Sequence, residues 1–520
     1  MRLANKVANF FQTRPYILYL LLLVITFSFF AYLQWWPAFA DPDSFYHAKM
    51  ALQLVDQGAT TEFPWLSATT LKYDFVDHHF LYHLALIPFV KLLPPLIGLK
   101  VATAIFATLA ILFIFWFLRQ LKIRGAFWYM LFLLTINPFI FRLNLAKAQA
   151  LAIILFFLII YLLFKRHYLA LILACCFYVW LYGGWPIALV LVLVLMISNW
   201  LWLRHQSGWL SLRFKLGKSK YFKQHLLLFF SVVLGLFAGL FFSPYFPKNL
   251  NFYWQQSFKI AVINYQSIIG VGGEWYPYPL TDLFLSAIPL FLFLIFAIAT
   301  FLFFIKKQTT NNWFLLILTF IFFGLTLKSR RYVEYFIPLA FCFSAGSINV
   351  FINSAQDSLS KLIPKRYFAL VPIVLLLLFS PFFYRDLAAL VGNYRTGFSF
   401  DKFVQPMEWL KQNSNYGDIV FHTDWDEFPI LFYNDDKNYY LVGLDPTFMY
   451  AYDKNLYQRW YELVTAKTKE NLYPTIKKLF GASYVFVDIK QNSEFDKNLS
   501  ENFYFKKVFS NSEASVYQVN

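Results

Sequence analysis

Residues 16–51 read YILYLLLLVITFSFFAYLQWWPAFADPDSFYHAKMA. The first half is an apolar run without charge, and about 20 such residues cross the hydrocarbon core of a bilayer. The second half contains Asp41, Asp43 and His47 among several aromatic side chains. This stretch therefore predicts a membrane-spanning helix that leads directly into a polar loop.

The apolar pattern recurs along most of the chain. Of the 520 residues, 59% are hydrophobic and 14% are charged, whereas soluble chains carry about 25% charged residues. A soluble enzyme, a disordered chain and a coiled coil are excluded by these values. We predict a polytopic α-helical membrane protein with about eleven transmembrane helices, at 15–34, 98–118, 125–141, 148–164, 168–182, 185–203, 224–243, 284–305, 312–327, 332–353 and 367–384.

One further apolar stretch, from Asp77 to Pro95, is interrupted by Lys91, Pro94 and Pro95. We predict that it forms a helix lying at the membrane interface.

Charge divides the chain into two parts. Residues 1–384 carry 30 Lys and Arg against 10 Asp and Glu, and residues 385–520 carry 15 against 18. Basic loops face the cytoplasm, so we expect a multi-pass protein of the cell membrane with a cytoplasmic N-terminus. The basic loop 204–223 is then an orientation signal that touches anionic lipid, and no nucleic-acid partner is expected.

The predicted domains follow this division. Residues 1–384 form a transmembrane domain with long outer loops at 35–97 and 244–283, and residues 385–520 form a soluble extracytoplasmic α/β domain. In the second domain DIVFHT, NYYLVGLD, ASYVFVD and ASVYQV have the composition of strands.

The acidic residues of the membrane part concentrate in the two outer loops. Two lie in the second loop, Glu274 and Asp282, and six lie in the first: Asp41, Asp43, Asp56, Glu62, Asp74 and Asp77. In the first loop they lie among aromatic and histidine side chains, a setting that suits a sugar or a metal ion. Asp77, His78 and His79 are candidate metal or phosphate ligands, and His47 and His83 belong to the same region.

Three cations at Lys328, Arg330 and Arg331 lie at the outer end of a span, against the orientation bias. They either anchor the helix by reaching the interface or bind phosphate, since the guanidinium fork matches phosphate oxygens.

Four features resemble the GT-C superfamily of membrane glycosyltransferases and, within it, the catalytic subunits of oligosaccharyltransferases. DPDSFYHAKMA after the first span is similar to the family's DPxYH-like motif, and the long first loop ends in an interfacial helix. GVGGEWYPYPL resembles the SVSEHQP or EWQP segment. PMEWLKQNSNYGDIVFHTDWDEFPILFY resembles the EWLRENTP…WWDYG run.

The resemblance implies transfer of a sugar or oligosaccharide from a polyprenyl-(di)phosphate donor to an extracytoplasmic acceptor, either a protein or an envelope glycan. It implies that Asp43 and Glu274 are catalytic carboxylates that also bind a divalent metal, Mg²⁺ or Mn²⁺. It further implies that Arg330 or Arg331 binds the donor phosphate.

The resemblance also assigns acceptor binding to Asp424, Trp425 and Asp426. The family's second acidic pair is missing, because FRLNLAKAQALA carries Lys147 in that region. Lys147 is therefore a candidate cation for the leaving phosphate in a metal-independent reaction. A carrier or flippase for lipid-linked glycans and a catalytically inactive scaffold are the alternative functions.

Overall fold

The protein is described by a computed structural model that covers residues 14–207, 220–256, 266, 268–355 and 370–520. It divides into two compact units, each assembled from three separate segments of the chain. Unit 1 comprises Met1–Trp36, Val101–Leu240 and Gly273–Arg395, and unit 2 comprises Pro37–Lys100, Phe241–Gly272 and Thr396–Asn520. The predicted division at residue 384 stays a prediction, and unit 2 unites the C-terminal region with most of both outer loops.

Unit 1 is helical because its segments are long apolar runs, and a membrane leaves no water to hydrogen-bond an open backbone. Its helices are Tyr16–Leu33, Pro95–Gln120, Ala126–Leu133, Asn137–Asn144, Gln149–Lys165, Tyr168–Leu181, Ile187–Ser207, Lys220–Phe241, Leu280–Ser286, Ile288–Phe303, Thr310–Lys328, Val333–Ser354 and Val371–Arg395. The start of Pro95–Gln120 and the last residue of Lys220–Phe241 belong to unit 2.

All eleven predicted spans correspond to apolar helices, which confirms the polytopic fold. In the described part of the chain, 7 helices are long and apolar enough to cross a membrane, and up to 9 spans result if two bent helix pairs each count as one. Two further predicted spans are the shorter apolar helices Gln149–Lys165 and Tyr168–Leu181. The predicted interfacial helix is the third short one, Phe80–Leu92.

Proline explains why the two pairs are bent. The axis turns by 80° between Ala126–Leu133 and Asn137–Asn144, and by 96° between Leu280–Ser286 and Ile288–Phe303. A proline lies in the first turn of the second helix of each pair, where its missing N–H and its ring prevent the preceding helix from continuing through it. The first bend places the short helix Asn137–Asn144, which contributes to the site described below.

Unit 2 is a mixed α/β structure. Its helices are Asp43–Gln57, Phe80–Leu92, Lys248–Tyr253, Val404–Asn413, Phe428–Asn434, Thr447–Tyr452, Lys454–Val464 and Ser493–Ser500, with shorter turns at Thr70–Lys72, Trp425–Glu427 and Pro474–Leu479. A small antiparallel pair joins Ala38–Phe39 to Phe398–Ser399. The predicted α/β character of the C-terminal region is confirmed.

The main sheet of unit 2 has five strands in the spatial order Tyr439–Tyr440, Ile419–Phe421, Ala482–Asp488, Ala514–Val519 and Phe505–Ser510. The first three are parallel to one another, and Ala514–Val519 pairs antiparallel with both of its neighbours, Ala482–Asp488 and Phe505–Ser510. All four strands predicted from the sequence are in this sheet, and Phe505–Ser510 is the strand that the sequence did not indicate.

The first outer loop completes one edge of this sheet. Leu66 pairs in parallel with Tyr440, the Ser67 N–H donates to the Tyr440 carbonyl at 2.8 Å, and the Tyr440 N–H donates to the Trp65 carbonyl at 2.8 Å. An uncovered edge strand leaves unpaired backbone groups. The loop satisfies them, and this fixes the loop and the C-terminal region in one unit.

Candidate functional site

A buried ionic network lies at the centre of the candidate site in unit 1. Arg142, which is 7% exposed, donates from Nε and Nη2 to Glu334 Oε2 at 3.0 and 2.8 Å and from Nη1 to Glu274 Oε2 at 2.7 Å. Glu334 is 1% exposed and begins the first turn of its helix, where the helix dipole favours an acid. One arginine thus holds two carboxylates together.

The short helix that carries Arg142 is fixed at its end. The last residue, Asn144, accepts hydrogen bonds at its backbone carbonyl from Gln34 Nε2 at 2.7 Å and from the Tyr394 hydroxyl at 2.8 Å. These bonds satisfy a carbonyl that a helix end leaves without an intrahelical partner. They hold Arg142 in its position between the carboxylates.

Glu274 is held by backbone contacts between its short turn, Gly273–Trp275, and the Ser329–Arg330 segment. The Ser329 hydroxyl donates to the Glu274 carbonyl at 2.9 Å, and the Arg330 N–H donates to the Tyr276 carbonyl at 3.0 Å. Glu274 and the two arginines, which the sequence predicted separately as site residues, therefore lie close together.

The two neighbouring arginines have different environments. Arg331 is mostly buried, with 18% of its side chain exposed, and its Nη1 lies 3.8 Å from Glu274 Oε1. It also donates to the Tyr182 hydroxyl at 3.1 Å and stacks 4.3 Å from the Trp275 ring centre. Arg330 is exposed, donates to the Pro277 carbonyl and lies over the Tyr278 ring. Of the two arginines, Arg331 is the member of the network.

The network carries more positive than negative charge. Burial alone would raise the pKa of the Glu274 carboxyl, but the charges of Arg331, Arg142 and Lys147 hold that pKa well below its usual range. The two carboxylates, Glu274 and Glu334, lie among three cations: Arg142, Arg331 and Lys147. The network therefore has one more positive than negative charge. Such a site favours an anion.

Tyr182 links the two halves of the network. Its hydroxyl donates to Glu334 Oε1 at 2.7 Å and accepts from Arg331. A Cβ at Gly184 would meet the Tyr182 ring at 2.7 Å, which is closer than van der Waals contact. Glycine at this position allows the ring to reach both charged partners.

In unit 2, Asp43 is the first residue of the helix Asp43–Gln57 and is half-buried. The Asp41 carboxylate accepts from the Asp43 N–H at 2.9 Å, so Asp41 caps this helix. A carboxylate at a helix N-terminus is stabilised in its charged form. This arrangement suits the catalytic role that the resemblance implies for Asp43.

Three buried side chains of unit 2 form a linear hydrogen-bonded relay. Asp77 Oδ2 is 2.7 Å from His83 Nδ1, and His83 Nε2 is 2.8 Å from His47 Nδ1. Asp77 is thus joined to His47 through the two ring nitrogens of His83. His47 lies one turn after Asp43, so the relay fixes the helix that presents Asp43.

The predicted metal ligands do not form a recognisable centre. Asp77 is engaged by His83 and also accepts from the His79 N–H at 3.0 Å, while the His78 and His79 rings lie 4.0 Å apart. Among the described residues no group of three or more His, Cys, Asp or Glu side chains is arranged to hold a metal ion. The metal role of these residues and of Asp43 stays a prediction, and Glu274 is paired with arginine.

The predicted acceptor-binding residues form a short helical turn in unit 2. Asp424 accepts from the Asp426 N–H at 3.1 Å, and Glu427 Oε2 accepts from the Asp424 N–H at 3.0 Å, which is a capping box. Burial and the neighbouring Glu427 raise the pKa of Asp424 to about 6. Asp424 has a capping role here, and an acceptor role for it, for Trp425 and for Asp426 stays a prediction.

Three residues of the unit 1 network were missed by the sequence reasoning: Arg142, Tyr182 and Glu334. Arg142 follows directly on a predicted span. A lone ionisable residue in an apolar context is by default a candidate for function, so this signal was present in FRLNLAKAQALA. Nothing in the sequence near Tyr182 indicated that it joins these charges.

Comparison with known proteins supports the fold. No family model and no curated protein matches the sequence. The archaeal oligosaccharyltransferase AglB from Archaeoglobus fulgidus, in complex with an inhibitory peptide and a dolichol-phosphate, is similar in structure, with a TM-score of 0.59 and 15% identity over 98% of this chain and 75% of that one.

Two further solved structures are similar as well. ArnT from Cupriavidus metallidurans, bound to undecaprenyl phosphate, has a TM-score of 0.58 and 11% identity over 96% of this chain and 97% of that one. A further structure of the A. fulgidus oligosaccharyltransferase contains Zn and sulfate, with a TM-score of 0.57 and 14% identity over 96% of this chain and 73% of that one. The predicted resemblance to GT-C glycosyltransferases is confirmed at the level of the fold.

Proposed function

We propose that this protein is a membrane glycosyltransferase that moves a sugar or oligosaccharide from a polyprenyl-(di)phosphate donor to an extracytoplasmic acceptor. The observation that carries the proposal is the cationic network of Arg331, Arg142 and Lys147 around Glu274. Two proteins of similar fold bind a polyprenyl phosphate, which supports the same ligand class here. We further propose that the N-terminus is cytoplasmic and the C-terminal region lies outside.

In this reaction Arg331 binds the phosphate of the donor. Its guanidinium already lies on the Trp275 ring and beside Tyr182, which preorganises it for a charged oxygen. Lys147 adds positive charge in the same network and stabilises the departing phosphate. No proton needs to reach this leaving group, since a polyprenyl phosphate leaves as a stable anion.

Two carboxylates act on the acceptor side. Glu274 is ionised and ion-paired, so it positions an acceptor group by accepting a hydrogen bond, and it is unsuited to take up a proton. Asp43, half-buried at a helix N-terminus, activates the acceptor as general base. Which acceptor is used, a protein or an envelope glycan, depends on unit 2, where Trp425 and Asp426 remain the proposed contacts.

The test follows transfer from a labelled polyprenyl-linked sugar pool of the host to host membrane and protein fractions, with the purified chain in lipid. The parent is compared with Asp43→Ala and with Asp56→Ala, an exposed acid on the same helix. We expect Asp43→Ala to lower transfer on the order of 100-fold or more, in the range of a lost general base, and Asp56→Ala to change it less than about twofold. The labelled product identifies the acceptor class.

Each other outcome has a defined meaning. Equal transfer by the parent and Asp43→Ala would remove Asp43 from the mechanism and leave the function in place. A parent that binds the intact donor and transfers nothing would contradict the enzyme and favour the carrier or the inactive scaffold.

A further inference from the structure

Two acidic side chains of unit 1 share a single arginine. Arg142 Nη1 lies 2.7 Å from Glu274 Oε2, and Nη2 lies 2.8 Å from Glu334 Oε2. Carboxylate pairs that converge on one point are the usual ligands of Mg²⁺ and related cations. At this pair the point of convergence is filled by a guanidinium of the chain itself.

The other carboxylate oxygens are also engaged. Glu334 Oε1 accepts from the Tyr182 hydroxyl at 2.7 Å, and Glu274 Oε1 faces Arg331 Nη1 at 3.8 Å. A divalent ion at this pair would have to displace Arg142 from both carboxylates. The displaced guanidinium is buried, and a buried charge that loses its partners strongly destabilises the protein. The residues of this network therefore do not fit a divalent metal.

We propose that Arg142 is a built-in cation that takes the place of a divalent ion between Glu274 and Glu334. It acts through Glu274, whose carboxylate it orients, and is therefore a positioning residue. For catalysis this inference rests on the proposed function. It also names a different residue from the one that the sequence suggested, since Lys147 influences Glu274 electrostatically while Arg142 makes the direct hydrogen bonds.

The choice of arginine has a chemical consequence. A guanidinium stays protonated at every pH at which the protein is folded, so its charge is permanent. A bound metal would be lost to a chelator, whereas Arg142 cannot be removed. The pair Glu274 and Glu334 should therefore need no divalent cation.

A binding experiment tests the metal claim without any assay of activity. Mn²⁺ bound to the purified full chain in detergent is measured by electron paramagnetic resonance for the parent, Glu274→Gln, Arg142→Gln and the double variant Arg142→Gln/Glu334→Gln. We expect equal Mn²⁺ binding by the parent and Glu274→Gln. Arg142→Gln should gain one Mn²⁺, because Glu274 Oε2 and Glu334 Oε2 then lose the cation between them, and the double variant should lose it again.

Two outcomes would overturn the proposal. One is Mn²⁺ bound by the parent and lost in Glu274→Gln. The other is a folded Arg142→Gln protein that gains no Mn²⁺. If Arg142→Gln fails to fold, the comparison of the parent with Glu274→Gln decides the question alone.

A transfer experiment then separates this inference from the proposed function. With EDTA we expect the parent to keep its transfer rate within about twofold, and Arg142→Lys, which keeps the charge, to stay insensitive to EDTA. Arg142→Gln should lose activity and regain part of it with Mn²⁺, a rescue that a purely structural role would not produce.

Loss of parent transfer with EDTA and recovery with Mg²⁺ or Mn²⁺, in a protein whose Mn²⁺ binding is lost in Glu274→Gln, would contradict the built-in cation. A parent without transfer under any condition would contradict the proposed function, and the Mn²⁺ binding results would still decide the role of Arg142.

Discussion

Each unit of this protein buries a chain of polar side chains, but the two chains differ in chemistry. The network of unit 1 consists of ion pairs, with Arg142 and Arg331 against Glu274 and Glu334. The relay of unit 2 has one carboxylate, Asp77, followed by two histidines in a hydrogen-bonded row. Buried charges are costly unless they are paired, whereas buried polar groups cost little once each is hydrogen-bonded.

This difference between the network of unit 1 and the relay of unit 2 indicates where a ligand is expected to bind. The relay of unit 2 joins Asp77 and His83 to His47, and through His47 it fixes the helix that begins at Asp43. The network of unit 1 pairs its carboxylates and still has an excess of positive charge next to Lys147. An anionic ligand would neutralise this excess positive charge, which is why we assign donor phosphate binding to unit 1.

The largest expected effect compares one buried carboxylate from each unit. Glu334→Gln removes the negative charge that pairs with Arg142 and leaves a buried guanidinium partly uncompensated, so we expect transfer to fall on the order of 100-fold. Asp77→Asn weakens the relay, so it should lower the melting temperature and change transfer by less than about fivefold below that temperature. Both values are measured on the purified variants.

The comparison would be broken by the reverse pattern. Full transfer by Glu334→Gln, or a 100-fold loss in a well-folded Asp77→Asn protein, would show that the charges needed for transfer lie in unit 2 and not in unit 1.

A smaller effect is expected at Gly184. A methyl group there would push the Tyr182 ring away from Glu334 and Arg331. We expect Gly184→Ala and Tyr182→Phe each to lower transfer by about tenfold, the value of one lost hydrogen bond to a charged group. The double variant should be no worse than either single variant, because both remove the same contact. Additive losses would show that Gly184 acts in some other way.

The smallest effect concerns the pH dependence of stability in unit 2. The pKa of Asp424 is raised from 3.8 to about 6 in the folded protein, so between these values the folded state binds a proton that the unfolded state releases. Stability from this group is present below about pH 4 and is lost as the pH rises through 6. Asparagine caps equally well, so Asp424→Asn should be more stable than the parent at pH 7, by on the order of 1 kcal/mol after allowance for solvent screening.

This gain should disappear at pH 4. Thermal unfolding of the parent and of Asp424→Asn at pH 4, 5, 6 and 7 measures it, with Asp453→Asn as a matched control at an exposed helix cap. A stability difference between the parent and Asp424→Asn that does not change with pH would contradict the raised pKa.

Much of the fold could be predicted because apolar length and strand composition are local properties. Each of the eleven predicted spans is an apolar helix, and the strands Ile419–Phe421 and Ala482–Asp488 lie inside predicted runs. The edge that Leu66 adds to the sheet is absent from any local pattern. It joins residues more than 370 positions apart, and no periodicity encodes such a pairing.

The site was predicted only in part, because its contacts join residues that are distant in the sequence. Glu274 and Arg331 were found through motifs. Which of the two adjacent arginines faces the carboxylate depends on the hydrogen bonds that Arg330 donates to the carbonyls of Tyr276 and Pro277. The partnership of Arg142 with Glu334 spans 192 positions. Neighbours in sequence could not reveal it, although a lone arginine beside an apolar run was a signal.

The most direct test of the central claim is the binding of a radiolabelled polyprenyl phosphate to the purified chain in detergent. Arg331→Gln is compared with Arg330→Gln, two substitutions of the same kind at adjacent positions with different contacts. We predict that Arg331→Gln weakens binding about 30-fold, within the range of a lost charge-assisted contact, and that Arg330→Gln weakens it less than about threefold. Equal binding by the parent and Arg331→Gln, or a parent that binds the phosphate no better than the neutral polyprenol, would contradict the account.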